Sequence, residues 1–174
     1  MYYFGHSKKE KELSFEFLCK KNQDKLTQDM LDWYLPFRND AGTYVFNYWQ
    51  DKEIKFTACY ASPHLTKNHH HPFSYVFRDL YNAMELKEVG EIFNRASDLK
   101  GPSSFIEKVE QCAEAVWHEH LNFNAHLVFI TVNPKHVFFY ENILAGNKVG
   151  SVENHPFLNL PAQLMLLEWP NDTI

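Results

Sequence analysis

The fold is decided by the stretch Val132-Asn133-Pro134-Lys135-His136-Val137-Phe138-Phe139-Tyr140. Residues 126–132, which lead into it, are apolar at almost every position, and this is typical of a central strand covered by helices on both faces. Asn133-Pro134 predicts the start of a short helix over residues 135–144, because proline is favoured in the first turn of a helix. Ala145-Gly146 ends that helix, and strands are predicted after it around residues 148–153 and 162–169.

The clearest helix pattern lies upstream of this stretch. Apolar residues recur there at spacings of three and four as far as Leu121, and Ser104 with Glu107 predicts a capping box at the start of the helix. A strand is predicted over residues 89–96 and a short helix over residues 73–84. A β-hairpin is predicted over residues 43–60, with its turn at Gln50-Asp51-Lys52-Glu53.

The N-terminal part has a different pattern, in which polar residues are interrupted by single apolar ones. Residues 9–33 predict one or two amphipathic helices, ended by Pro36 and the stretch that follows it. We therefore expect one domain over residues 1–174. It comprises a helical part (1–42), a hairpin with the central strand (43–102) and a C-terminal part (103–174).

Composition restricts the class of protein. The chain has 174 residues, 45% of them hydrophobic, which fits one globular domain with a sizeable core. The net charge of −5 argues against nucleic acid as a partner. Neither a membrane-spanning run nor a signal peptide is expected. Three cysteines without a CxxC pair suggest a reducing compartment, so we expect a cytoplasmic protein.

The order of the elements resembles the GNAT N-acyltransferase superfamily. The resemblance is best over residues 89–169 and centres on the segment ending in Tyr140, followed by Ile143-Leu144-Ala145-Gly146. The family has an aromatic residue after this glycine, where this chain has Asn147. The resemblance implies an α/β (α+β) fold: a GNAT-like mixed central sheet flanked by helices, with splayed central parallel strands.

Three segments resemble one branch of that superfamily, the N-acyl amino acid synthases, which are relatives of acyl-homoserine lactone synthases. They are the stretch from Asn133 to Tyr140, the run Pro156-Phe157-Leu158-Asn159-Leu160-Pro161-Ala162, and residues 91–98. In the third, the branch has Glu with an Arg three positions later, whereas this chain has Asn94 there and the arginine at Arg95. The resemblance implies transfer of a long-chain acyl group from a thioester carrier to the amine of an amino acid or a similar small acceptor.

Two residues are the expected catalytic groups. Glu91 lies among apolar neighbours and would be the base that deprotonates the amine, with burial raising its pKa. The alternative is a strand-edge carboxylate paired with Arg95. Tyr140 stands where the tyrosine of the family acts as general acid toward the leaving thiolate, and the alternative is a core aromatic residue.

The donor site would lie at the turn before the long helix. Lys100, Gly101, Ser103 and Ser104, together with Asn133 and Lys135, are the expected contacts. The turn has one glycine, and Pro102 lacks an N–H, so we expect a poor grip on the pyrophosphate of coenzyme A. Acyl carrier protein, with one phosphate on its phosphopantetheine arm, is then the favoured donor over acyl-coenzyme A, with Lys100, Lys108 and Lys135 facing it. Three ordinary surface lysines are the alternative.

Other functions remain open at this point. One is a non-catalytic module of the same fold that binds a lipid or acyl carrier protein, and another is a coenzyme A-dependent N-acetyltransferase. No tightly bound cofactor is expected. No metal is expected either, because the adjacent histidines of Asn68-His69-His70-His71 do not converge on one point. The acceptor amine, the acyl length and the oligomeric state stay undetermined.

Overall fold

The computed structural model describes residues 1–23, 25–65, 71–83, 89–120, 127–156 and 158–168. The strands are β1 (Tyr2–Gly5), β2 (Thr43–Gln50), β3 (Glu53–Ala61), β4 (Val89–Ser97), β5 (Leu127–Val132), β6 (Asn147–Asn154) and β7 (Pro161–Glu168). The helices are α1 (Lys8–Lys21), α2 (Gln28–Arg38), α3 (Phe73–Val76), α4 (Arg78–Ala83), α5 (Pro102–His120) and α6 (Val137–Ile143), the last preceded by a 3₁₀ turn, Pro134–His136. The end of the long helix, which the sequence pattern predicts after Leu121, lies outside the described residues.

All seven strands form one mixed sheet in the order β1-β2-β3-β4-β5-β7-β6. Only β4 and β5 run parallel, and the long helix α5 connects them. The other neighbouring pairs are antiparallel. The expected mixed sheet with a central parallel pair is therefore confirmed.

The β2–β3 hairpin has the turn that the sequence predicts. Asp51 and Lys52 connect the strands with φ angles of 52° and 64°. A two-residue turn with both φ angles positive matches the right-handed twist of the flanking strands.

Side chains alternate between the two faces of the sheet and divide the core in two. One face packs against α5 and α6. Its cluster includes Ile92, Val116, Ile130, Tyr140 and Met165. The other face lies under α1 to α4. Its two clusters include Phe37, Phe73, Val89, Phe93 and Phe129.

Three details differ from the prediction. The N-terminal part contributes β1 to the sheet in addition to its helices, because residues 2–5 pair with β2. Pro36 lies inside α2 rather than ending it: proline removes one backbone hydrogen bond, while the next residue, Phe37, is 2% exposed and holds the helix against the core. The predicted capping box is also wrong. Helix α5 begins at Pro102, so Ser104 lies inside its first turn, and the Glu107 carboxylate accepts hydrogen bonds from Lys108 and Gln111.

Candidate active site

The two central parallel strands separate after four residue pairs. β4 pairs with β5 from Val89, opposite Leu127, to Ile92, opposite Ile130, and the described residues of both strands beyond this point do not pair with each other. The guanidinium of Arg95 spans the opening, donating to the carbonyl oxygens of Thr131 on β5 and Ile92 on β4. The opening is therefore a fixed feature of the sheet.

A bulge in β4 brings Arg95 to this opening. Phe93 and Ala96 are three residues apart in β4, but their partners on β3, Cys59 and Thr57, are only two residues apart. Asn94 in the bulge has a φ of 52°, a left-handed conformation that asparagine adopts more readily than most residues.

A cavity of about 320 Å³ lies over the opening, on the α1–α4 face of the sheet. Its polar wall comes from the separating ends of β4 and β5, and its apolar wall comes mainly from α1, α2 and the start of β7. The polar wall includes Glu91, Asn94, Arg95, Thr131 and Asn133; the apolar wall includes Leu18, Leu26, Met30, Trp33, Val76 and Ala162.

Glu91 is the one carboxyl group among the described residues that line this cavity. Its side chain is 2% exposed, and its Oε2 accepts a hydrogen bond of 3.0 Å from the backbone N–H of Phe73. Burial raises the pKa of Glu91 to about 8, although the Phe73 N–H and the Arg95 charge act in the opposite direction. No ion pair joins Glu91 to Arg95 in the described part of the chain, so the paired-carboxylate alternative is not what the structure shows. Only the ionised form of this carboxyl can take a proton from an amine; with a pKa of about 8 that form is the minority at pH 7 and the majority above pH 8.

Two further polar side chains in the cavity were not identified from the sequence. Tyr34 of α2 lines the cavity. Burial raises the pKa of its hydroxyl, the charge of Arg95 lowers it, and the charge of Glu91 raises it. His155, in the β6–β7 connection, is 7% exposed; its Nδ1 accepts a hydrogen bond from the Leu158 N–H, and burial lowers its pKa to about 4. In the sequence, Tyr34 is one aromatic residue among many, and the amphipathic helix pattern does not distinguish it from the others.

Tyr140 lies on the other face of the sheet. It is 6% exposed, belongs to the cluster under α5, and is absent from the residues that line the cavity. Its backbone carbonyl accepts from the N–H groups of Leu144 and Gly146 at the end of α6. Its hydroxyl makes no hydrogen bond within the described part of the chain. The structure thus places Glu91 and Tyr140 on opposite faces of the sheet and not in one cavity.

The turn before α5 is exposed and contains little that could hold a pyrophosphate. Lys100, Gly101 and Ser103 are exposed, and Ser104 is half-buried. Gly101 has a φ of 84°, a conformation that favours glycine, and an added Cβ would meet no atom within 4 Å. Because Pro102 is the first residue of α5, one of the free N–H groups of the helix N-terminus is missing.

The remaining predicted donor contacts are divided between the surface and the interior. Lys135 is exposed beside the opening, and Asn133 lines the cavity while its Oδ1 accepts from the Lys135 backbone N–H at 3.0 Å. Lys108 is not the surface contact that was expected. It is 8% exposed, its Nζ lies 4.1 Å from the centre of the Tyr48 ring, and it donates to Glu107 and Gln111.

Among the described residues, no group of three or more His, Cys, Asp or Glu side chains could hold a metal ion. The predicted histidine loop lies mostly outside the described residues, and its last member, His71, is 8% exposed. Within the same residues, no helix is long and apolar enough to cross a membrane. Cys19, Cys59 and Cys112 are free thiols.

These features define a class of protein. A mixed sheet whose parallel central strands splay beside a cavity, with the long helix α5 between those strands in sequence, is the GNAT acyltransferase fold. The likeness to solved structures supports this fold over nearly the whole chain, although no curated protein matches the sequence.

The family follows from a sequence match. The family model "N-acyl amino acid synthase FeeM" matches residues 21–168, so the chain belongs to this family and is an N-acyltransferase. The structure of FeeM, an N-acyl amino acid synthase from uncultured soil microbes, is similar with a TM-score of 0.74 and 16% identity, covering 98% of this chain and 96% of that one. An acyl-CoA N-acyltransferase from Pseudomonas aeruginosa has a TM-score of 0.65 at 12% identity over 95% and 97% of the two chains. The acyl-homoserine lactone synthase LasI has a TM-score of 0.61 at 14% identity over 97% and 89%.

Proposed function

We propose that this enzyme transfers a long-chain acyl group from a thioester carrier to the amine of an amino acid. The observation that carries the proposal is the buried carboxyl of Glu91, which lines a cavity beside the splayed strands. The family to which the chain belongs bears the name of an N-acyl amino acid synthase, which supports an amino acid acceptor.

In the proposed reaction, the amine nitrogen attacks the thioester carbonyl carbon, so that a C–N bond forms and the C–S bond breaks. Glu91 accepts the proton that the amine loses, directly or through one water molecule. Tyr140 is the proposed donor of a proton to the leaving thiolate. Tyr140 lies in the packed cluster of the α5–α6 face, so this role requires the thiolate to reach that face while Glu91 acts from the other. Exchange with water then restores both groups.

A long acyl chain fits the apolar wall of the cavity. Leu18 and Met30 are 5% and 3% exposed, and Leu26, Trp33 and Val76 line the same space. Removing an acyl chain from water contributes about 0.8 kcal/mol per buried CH₂, so an apolar cavity favours long chains over acetyl. This favours acyl transfer over the N-acetyltransferase alternative.

Acyl carrier protein is the proposed donor in preference to acyl-coenzyme A, with no tightly bound cofactor. The carboxyl ends of parallel strands lie at one edge of a sheet, so Lys100, Gly101, Ser103 and Ser104 after β4 share an edge with Asn133 and Lys135 after β5. Phe138, three residues beyond Lys135, is 69% exposed and adds apolar surface. An acidic carrier can use such dispersed contacts, whereas a pyrophosphate needs converging N–H groups. The free cysteines support a reducing compartment, and we propose the cytoplasm.

The test is product identification with purified protein. A C12 acyl thioester, on carrier protein or on coenzyme A, is incubated with a mixture of the twenty amino acids, and products are identified by mass spectrometry. We expect N-acyl amino acids that depend on the protein and are nearly absent with Glu91→Gln. Formation of N-acetyl products only, from acetyl-coenzyme A, would instead support the acetyltransferase alternative.

A further inference from the structure

Among the described residues, the lining of the cavity is opposite in charge to the chain. The whole chain carries −5, but the formal cations among the described lining residues are Lys25 and Arg95, and the one carboxyl among them is Glu91. Since burial raises the pKa of Glu91 to about 8, that carboxyl is largely neutral at pH 7 in the empty site. An ammonium group alone is therefore poorly matched to this cavity, and an amine that also bears an anion is well matched.

Arg95 has donor capacity that the protein does not use. A guanidinium carries five N–H groups. Two of them donate to the carbonyl oxygens of Ile92 and Thr131. In the described part of the chain the others have no acceptor, and no carboxylate forms an ion pair with Arg95. Arginine binds a carboxylate well because its planar fork matches the two oxygens.

Tyr34 is close to the same point. It lines the cavity, and both Arg95 and Glu91 act electrostatically on it. Its hydroxyl has no hydrogen-bond partner in the described part of the chain, and because burial raises its pKa it stays a donor throughout the working pH range. Tyr34 therefore offers an O–H in the same cavity as a guanidinium with spare N–H groups.

These positions matter because the amine and the carboxylate of an α-amino acid are attached to one carbon. A group that binds the carboxylate must then lie near the base that receives the amine proton. Arg95 and Tyr34 meet this condition, because each of them interacts electrostatically with Glu91. No such interaction joins Lys25 to Glu91.

We propose that the Arg95 guanidinium and the Tyr34 hydroxyl bind the acceptor's α-carboxylate and thereby select α-amino acids. This proposal rests on the proposed function and adds the carboxylate contact. Tyr34→Phe tests it with little risk to the fold, since only a hydroxyl without a protein partner is removed. Arg95→Lys is the second variant, because it keeps the charge but loses the fork.

The measurement is the KM and kcat for an α-amino acid, its methyl ester and its ω-amino isomer, with one acyl thioester. We expect the parent enzyme to prefer the α-amino acid, although the ester amine is intrinsically easier to deprotonate. Tyr34→Phe should raise KM for the α-amino acid about tenfold, as expected for a lost hydrogen bond to a charged group, and leave that for the ester unchanged. Arg95→Lys should lose the same preference.

Lys9→Gln is the matched control, because it removes a cation from the exposed surface of α1, outside the residues that line the cavity, and should change the preference less than twofold. Equal KM increases for acid and ester in Tyr34→Phe, or an equal loss of preference in Lys9→Gln, would overturn the proposal. A parent enzyme that acylates acid and ester equally would overturn it too, while leaving N-acyl transfer intact. Absence of transfer to any amine would instead contradict the proposed function.

Discussion

The two faces of the central sheet have different contents, although each carries one residue that the sequence suggested as catalytic. On the α1–α4 face, Glu91 borders a cavity and has a carboxyl whose pKa is raised to about 8. On the α5–α6 face, Tyr140 lies in a packed cluster. The first face has a cavity, while the second packs against α5 and α6. The comparison predicts that substitutions on the two faces will change different kinetic quantities.

The largest effect is expected for Glu91→Gln. Losing a general base should lower kcat/KM at pH 7 about a hundredfold, within the 10²–10⁴-fold range typical of such groups. The deficit should shrink only above about pH 8, where Glu91 of the parent is already ionised and more of the amine is neutral without help. A pH–rate profile of each enzyme with one donor and one amino acid measures this.

Glu110→Gln is the control for Glu91→Gln, because it removes the same charge from an exposed position on α5. Its activity should equal that of the parent enzyme. If the profiles of Glu91→Gln and the parent ran parallel at all pH values, Glu91 would not be the base.

Stability should also distinguish Glu91. Its pKa is about 8 in the folded protein against 4.5 in the unfolded chain, so the folded state binds more protons between these values. The stability of the parent should therefore be full below about pH 4.5 and fall as pH rises to about 8, by roughly 3–5 kcal/mol if the whole shift is expressed.

Glu91→Gln removes this loss and keeps an acceptor for the Phe73 N–H. Thermal unfolding of both proteins at pH 5 and pH 8.5 should show the variant gaining on the parent only at the higher pH. Parallel curves would mean that Glu91 is not buried as described.

The same contrast shows what the sequence could predict. Glu91 was identifiable because a lone carboxyl inside an apolar strand is conspicuous, and the element order fixed the sheet. The cavity was not identifiable, since Tyr34 and His155 come from distant segments that only the tertiary fold brings together. The capping box failed for a local reason: α5 begins at Pro102, three residues before the start that a cap at Ser104 would give, and the Ser104–Glu107 pair does not indicate this.

Tyr140→Phe tests the other face. If Tyr140 protonates the thiolate, kcat should fall about tenfold, which is below the usual range for general acids because a thiolate leaves readily. The melting temperature should stay unchanged, because the hydroxyl makes no hydrogen bond in the described part of the chain. Steady-state kinetics and thermal unfolding of the same preparation measure both quantities. Unchanged turnover would make Tyr140 a packing residue and leave the chemistry to the Glu91 face.

The smallest effect is expected at the proposed donor site, where Lys100 follows β4. Lys100→Glu should weaken binding of acyl carrier protein several-fold at low salt, and less at high salt, because an exposed charge contact is screened within about 10 Å at 0.1 M ionic strength. Acyl-coenzyme A with the same chain should be affected less, since the turn from Gly101 to Ser104 offers its pyrophosphate few N–H groups.

Lys9→Glu makes the same charge change on the exposed surface of α1 and should leave both donors unaffected. Titration of each donor at low and high salt, with KM for the amino acid measured in parallel, separates the two faces: Lys100→Glu should leave that KM unchanged. Tight, salt-independent binding of acyl-coenzyme A without carrier binding would refute the donor assignment and leave the role of the Glu91 face intact.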